Sequence, residues 1–148
     1  MASIAIASDH AGVQLKAELI AELAKLGQIV VDLGPSDTTS VDYPDYALKV
    51  TDAVNEKRAS LGVLICGTGI GMSITANKVH GIRAALCHTE FEARATRMHN
   101  DANVLCLGQR VIGGGLAIEI LKVFLNTPFE GGRHAARVAK ITAVEAKR

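Results

Sequence analysis

Leu61-Gly62-Val63-Leu64-Ile65-Cys66 runs straight into Gly67-Thr68-Gly69-Ile70-Gly71. Six residues without a charged or amide side chain match a central parallel strand covered on both faces. The glycines that follow mark a tight turn, and Ile74 and Asn77 continue it into a short helix. The same alternation extends in both directions. Upstream, residues 3–8 read as a strand that breaks at Asp9-His10-Ala11-Gly12, and Leu15, Leu19, Leu23 and Leu26 then recur at helical spacing until Gly27. Residues 29–33 form a second strand, followed by a polar loop over 34–42. Pro44 opens a helix carried by Ala47, Val50 and Val54. Downstream, residues 82–87 and 103–107 are strands. Between them Thr89 and Glu92 form a capping box for a helix ending near Met98. A helix over 113–126 stops before Pro128, and a last one places Val138, Ile141 and Val144 on one face and Arg133 and Arg137 on another. The fold class is therefore α/β: a single doubly wound five-stranded parallel sheet with helices on both faces. The final helix is a C-terminal arm with nowhere obvious left to pack, so it is expected to reach a partner subunit. Residues 1–148 read as one domain without repeats or linkers.

Composition narrows the partners. Of 148 residues, 49% are hydrophobic and 21% charged, which excludes a disordered chain and leaves apolar surface to close against a second subunit. Sixteen Lys and Arg against fifteen Asp and Glu give a net charge of +1, too little to hold nucleic acid or an anionic membrane. With no Trp, two Tyr and three Phe there is no base-stacking platform. The N-terminus has neither the basic stretch nor the apolar core of a secretory signal, and no apolar run approaches the roughly 20 residues of a membrane span. A cytoplasmic protein with a small ligand is expected.

Ligands of such sheets bind beyond the carboxyl ends of the strands. That rule selects Asp9-His10, the turn from Cys66 to Gly71, His88 and the segments around His99 and Arg110. Successive amides in the glycine turn, with the following helix, suit an anion. The turn is no dinucleotide fingerprint, because it follows the third strand and lacks the later acidic residue. It is no Walker loop, lacking Lys-Ser/Thr, and no cysteine-phosphatase loop, because Met72 stands where an arginine would be sought. Cys66, at the mouth of the turn, is where amide dipoles favour a thiolate able to act as base or nucleophile, unless it is simply a buried strand-end cysteine. Cys87 and Cys106 read as structural. No CxxC pair supports redox chemistry, and no Cys/His spacing suggests a metal, so metal-free chemistry without a cofactor is expected. His10 and His99 sit in polar breaks suited to acid–base work. Arg110, Arg133 and Arg137 could grip a phosphate or merely line a charged face. His80, His88 and His134 read as surface residues.

Together, Ser8-Asp9-His10-Ala11-Gly12, Asp42-Tyr43-Pro44-Asp45-Tyr46-Ala47, Cys66 to Gly71 with Ala76-Asn77-Lys78, and Arg83-Ala84 carry a resemblance. His99-Asn100-Asp101-Ala102-Asn103, Gly108-Gln109-Arg110-Val111 and Glu130-Gly131-Gly132-Arg133-His134 complete it. In this order they resemble the ribose-5-phosphate isomerase type B family, which includes allose- and galactose-6-phosphate isomerases. The resemblance implies a metal-free aldose–ketose isomerase of the non-oxidative pentose phosphate route, working through a cis-enediolate. It implies Cys66 as the base, His99 as the acid–base group that opens the sugar ring, and Thr68 with the amides of Gly67, Gly69, Ile70 and Gly71 as the enediolate cradle. Asp9, His10, Tyr43 and Asn100 would hold the sugar, and Arg110, Arg133 and Arg137 its phosphate. One branch of the family uses a glutamate in the glycine-rich segment; Met72 at that place and Cys66 at the turn put this chain with the cysteine branch. Family sites are shared between subunits, which implies a homodimer or a dimer of dimers. The alternatives are a six-carbon substrate such as allose 6-phosphate, and a non-catalytic sugar-phosphate sensor that would need neither Cys66 nor His99.

Overall fold

The computed structural model describes residues 2–147. Its strands are β1 (Ser3–Ser8), β2 (Ile29–Asp32), β3 (Leu61–Cys66), β4 (Ala84–Leu86) and β5 (Val104–Gly108), all parallel, in the spatial order β2-β1-β3-β5-β4. Its helices are α1 (Val13–Lys25), α2 (Tyr43–Asn55), α3 (Ile70–Ala76), α4 (Glu90–Ala95), α5 (Gly114–Asn126) and α6 (Arg133–Ala143). The chain leaves β1 toward β2 on one side and returns to β3 on the other. The connections therefore part between β1 and β3, whose carboxyl ends are in register at Ser8 and Ile65. This is the crevice where doubly wound sheets take ligands.

Alternation along each strand sorts the core into two layers. Ile4, Ile6, Val63 and Ile65 pack with Leu15, Leu19 and Leu23 of α1 and Ile120, Leu121 and Phe124 of α5. Ala5, Ala7, Leu64 and Cys66 face Ala47 and Val50 of α2 and Met72 and Ala76 of α3. The second layer has the smaller strand residues, so its helices lie close. At Gly62 an added Cβ would stand 2.5 Å from Val50 Cγ1. Lys16, buried on α1, is held by Asp32 at 2.7 Å.

Two elements differ from the sequence expectation. The strand expected over 82–87 is only Ala84–Leu86, because the Ile82 amide turns back onto the Val79 carbonyl and the strand, at the sheet edge, pairs with β5 alone. The helix expected to reach Met98 ends at Ala95 and widens into a π-helical turn over Thr96–Asn100. Asp101 closes that turn at φ 48°, and its carboxylate takes Arg97 at 3.2 Å and Arg83 at 3.4 Å. Within the chain, the C-terminal arm packs α6 against the π-helical turn, and Glu145 Oε1 accepts the Gly81 amide at 2.7 Å. Ile141 and Val144 nevertheless stay half exposed, at 48% and 49%.

The capping box forms as expected. Thr89 Oγ1 accepts the Glu92 amide at 3.1 Å, and Glu92 Oε1 accepts the His88 amide at 2.9 Å. That amide holds the Glu92 carboxyl below the usual range, so its contribution is present at neutral pH and fades as acid protonates it. Thr89→Ala is expected to cost about 1 kcal/mol, read as a lower urea midpoint with an unchanged slope.

Candidate active site

Cys66 ends β3, almost fully buried, with its sulfur turned toward the glycine turn. The Gly69 amide donates to Sγ at 3.1 Å. Gly69 can do this because its φ is 78°, and because any Cβ there would meet Leu86 Cδ1 at 2.6 Å and the Leu107 carbonyl carbon at 2.9 Å. The turn hangs on the neighbouring strands by main-chain bonds. Gln109 donates its amide to the Cys66 carbonyl and Arg110 donates to the Gly67 carbonyl, both at 3.0 Å. Gly108 lets the two segments meet, since a Cβ on it would lie 2.5 Å from the Thr68 carbonyl carbon. Thr68 is exposed, its Oγ1 accepting the Ile70 amide at 3.2 Å. The Arg110 guanidinium lies over Gly67, and the Tyr43 ring packs on Gly71, where a Cβ would be 2.6 Å from it. Met72 is fully buried in the α2/α3 layer.

Asp9 and His10 join this group across the β1–β3 crevice. The Asp9 amide donates to the Ile65 carbonyl at 3.0 Å, and the buried carboxylate accepts the Ala11 amide at 2.9 Å. His10 Nδ1 lies 3.2 Å from the Val41 backbone, pinning the 34–42 loop beside the turn.

His99, Asn100, Arg133 and Arg137 form a second group at the π-helical turn and α6. The His99 ring stacks on His134, with centroids 4.4 Å apart and planes 21° from parallel. His134 was expected at the surface; it is buried, because its Nε2 pairs with Glu130 Oε2 at 3.2 Å and its ring is covered by His99. The Glu130 amide donates to the Met98 carbonyl at 3.1 Å, which holds the 127–132 loop on the π-helical turn. The four-residue spacing of Glu130 and His134 was the sequence signal for this pair. Asn100 is exposed and its carbonyl accepts Arg83 Nε at 3.0 Å. Arg110, Arg133 and Arg137 are exposed and pair with no carboxylate among the described residues. No hydrogen bond or ion pair among the described residues joins this group to the Cys66 turn.

Cys87 and Cys106 behave as structural thiols. Burial, aided by the Glu92 charge, pushes Cys87 up to about 12, and burial pushes Cys106 further. His88 serves the α4 cap through its amide.

A sulfur that accepts an amide hydrogen bond can take a proton from a bound substrate, and the amides of the turn can hold the charge that then develops on the substrate. Comparison with known proteins gives the family. The family described as Ribose/Galactose Isomerase matches residues 4–141. The chain is 47% identical over 148 residues to ribose-5-phosphate isomerase B of Escherichia coli K12, covering 100% of this chain and 99% of that one. The structure of ribose-5-phosphate isomerase B from Clostridium thermocellum superposes with a TM-score of 0.97 at 52% identity, over 98% of both chains. That of the type B ribose 5-phosphate isomerase from Trypanosoma brucei gives 0.95 at 46%, over 98% of this chain and 99% of that one. With the crevice, the glycine turn and its cysteine all present, this chain belongs to the ribose/galactose isomerase family and is a sugar-phosphate isomerase, an aldose–ketose isomerase by reaction.

Proposed function

We propose that the chain interconverts ribose 5-phosphate and ribulose 5-phosphate through a cis-enediolate. The observation that carries this reading is the Gly69 amide aimed at Cys66 Sγ at 3.1 Å, at the carboxyl end of the central strand. Cys66, as thiolate, removes the proton from carbon 2, and the electron pair moves to give the enediolate. The hydroxyl proton passes from oxygen 2 to oxygen 1 of the enediolate, and the same thiol returns its proton to carbon 1 as carbon 2 becomes the carbonyl, so sulfur ends as it began. Thr68 and the amides of the turn hold the enediolate oxygens, where donors matter most in the transition state. His99 opens the sugar ring beforehand by moving a proton between the ring oxygen and the anomeric hydroxyl. Asp9, His10, Tyr43 and Asn100 hold hydroxyls, and Arg110, Arg133 and Arg137 bind the phosphate, whose binding energy positions the reacting carbons.

We propose a homodimer in which each active site draws on two subunits, since no hydrogen bond or ion pair among the described residues joins the Cys66 and His99 groups. The β4 edge supplies apolar surface for it: a groove of about 570 Å³ lined by Ile82, Leu86, Cys87, Ile141 and Val144. No helix among the described residues is long and apolar enough to cross a membrane.

The test offers ribose 5-phosphate and allose 6-phosphate in parallel to wild type, Cys66→Ala, His99→Asn and a co-refolded mixture of the two variants. Ribose 5-phosphate is expected to turn over faster, and each variant alone to be nearly inert. The mixture should regain about a quarter of wild-type rate, because half its dimers are mixed and each mixed dimer holds one intact site. No recovery would place each site within one subunit. Faster allose 6-phosphate turnover would move the substrate to six carbons.

A further inference from the structure

We infer that His99, Glu130 and His134 form a binding site for a divalent transition-metal ion of the zinc, cobalt or nickel type, and that the ion bound there inhibits the enzyme. The inhibition half of this rests on the proposed role of His99 in ring opening; the binding half does not.

The three side chains offer two ring nitrogens and a carboxylate oxygen, all within 4.8 Å of one another. Glu130 Oε2 and His134 Nε2 are already 3.2 Å apart. Two ligands each about 2.0–2.2 Å from a tetrahedral zinc stand at close to that separation. They lie four residues apart, Glu130 in the loop and His134 in the first turn of α6, with Gly131 and Gly132 at positive φ between them, and the Glu130–Met98 main-chain bond keeps them over the π-helical turn that bears His99. His99 completes the set by rotating its ring out of the stack with His134. Two imidazoles and one carboxylate are the donors of a three-ligand zinc site that keeps an open position.

The surroundings decide which ions fit. Arg133 and Arg137 flank His134 with positive charge, and Arg97 is engaged by Asp101. One carboxylate does not outweigh them, so calcium and magnesium, which bind through several charged oxygens, are disfavoured. An ion held by imidazole nitrogen is affected less. Once bound, it occupies the lone pair with which His99 would accept a proton from the sugar.

The test titrates EDTA-treated, dialysed full-length protein with CoCl2, reads the visible absorption of bound Co2+, and measures ZnCl2 inhibition of ribose 5-phosphate turnover in parallel. Wild type should show ligand-field bands without a thiolate charge-transfer band, and EDTA should reverse the Zn2+ inhibition. Glu130→Gln and His134→Gln should each weaken Co2+ binding at least about tenfold. Glu130→Gln should also keep wild-type basal turnover while losing sensitivity to Zn2+. Absence of Co2+ binding, equal binding by both variants, or a thiolate band abolished by Cys66→Ala would overturn the site. Co2+ binding that depends on Glu130, in a protein that turns over no phosphosugar, would uphold the site and overturn the catalytic reading instead.

Discussion

Cys66→Ala is expected to lower kcat for ribose 5-phosphate by about 10²–10⁴-fold, the contribution of a positioned general base, with phosphosugar affinity nearly unchanged. The sulfur is the one ionisable side-chain atom between Cys66 and Gly71, and it receives the Gly69 amide directly. Alanine keeps the β3 backbone, its ladder to β1 and β5, and the small-residue packing of the α2/α3 layer. The loss should therefore fall on proton transfer rather than on folding. Cys66→Ser separates the two possible roles of the sulfur. A hydroxyl can still accept the Gly69 amide, but it gives up its proton far less readily than a thiol. Serine should be about as inert as alanine if sulfur is the base. Steady-state kcat, with calorimetry of an unreactive phosphorylated sugar acid, measures both quantities. Wild-type turnover by Cys66→Ser would exclude the thiolate base.

Gly108→Ala should be the most damaging single methyl addition outside the turn, lowering kcat by up to about 10²-fold, the cost of displacing a reacting geometry by about 1 Å. Its Cβ would stand 2.5 Å from the carbonyl carbon and 2.6 Å from the oxygen of Thr68. Those are main-chain atoms, which cannot swing aside as a side-chain tip can. The turn must shift away from β5, taking the Thr68 hydroxyl and the adjoining amides with it. Overpacking should also cost about 1–3 kcal/mol of stability. Gly113→Ala is the control: nothing lies within 4 Å of its added Cβ, so turnover and melting temperature should stay near wild type. If Gly108→Ala loses no more activity than Gly113→Ala, the close approach of β5 does not set the geometry of the turn.

The strands and the glycine turn were legible because their signals are local. Leu61 to Cys66 is apolar throughout, and Thr89 with Glu92 marks a helix start within four residues. Periodicity reports which face of an element is covered, not which strand lies beside it. The insertion of β5 between β3 and β4 was therefore invisible, although it makes β4 an edge. The π-helical turn escaped for a related reason. It depends on Asp101 in a left-handed conformation and on Arg83 and Arg97 converging there, and Arg83 lies 18 residues away. His134 looked solvated because its covering group, His99, is 35 positions earlier in the chain. A search restricted to short Cys and His spacings likewise passes over a ligand set whose close pair is Glu130 and His134.

The main-chain bonds that suspend the Cys66 turn have a bearing on how the enzyme can change. The amides of Asp9, Gln109 and Arg110 donate to the carbonyls of Ile65, Cys66 and Gly67, contacts that a substitution other than proline can strain but cannot delete. The parts that would measure the length of the sugar are borne by side chains instead: Tyr43 at the start of α2, and His10 with the loop it pins at Val41. On the proposed roles, reaction and selection rest on separable foundations. Evolution or an engineer could re-line the far end of the crevice for a longer phosphosugar while the proton-transfer centre stayed in place.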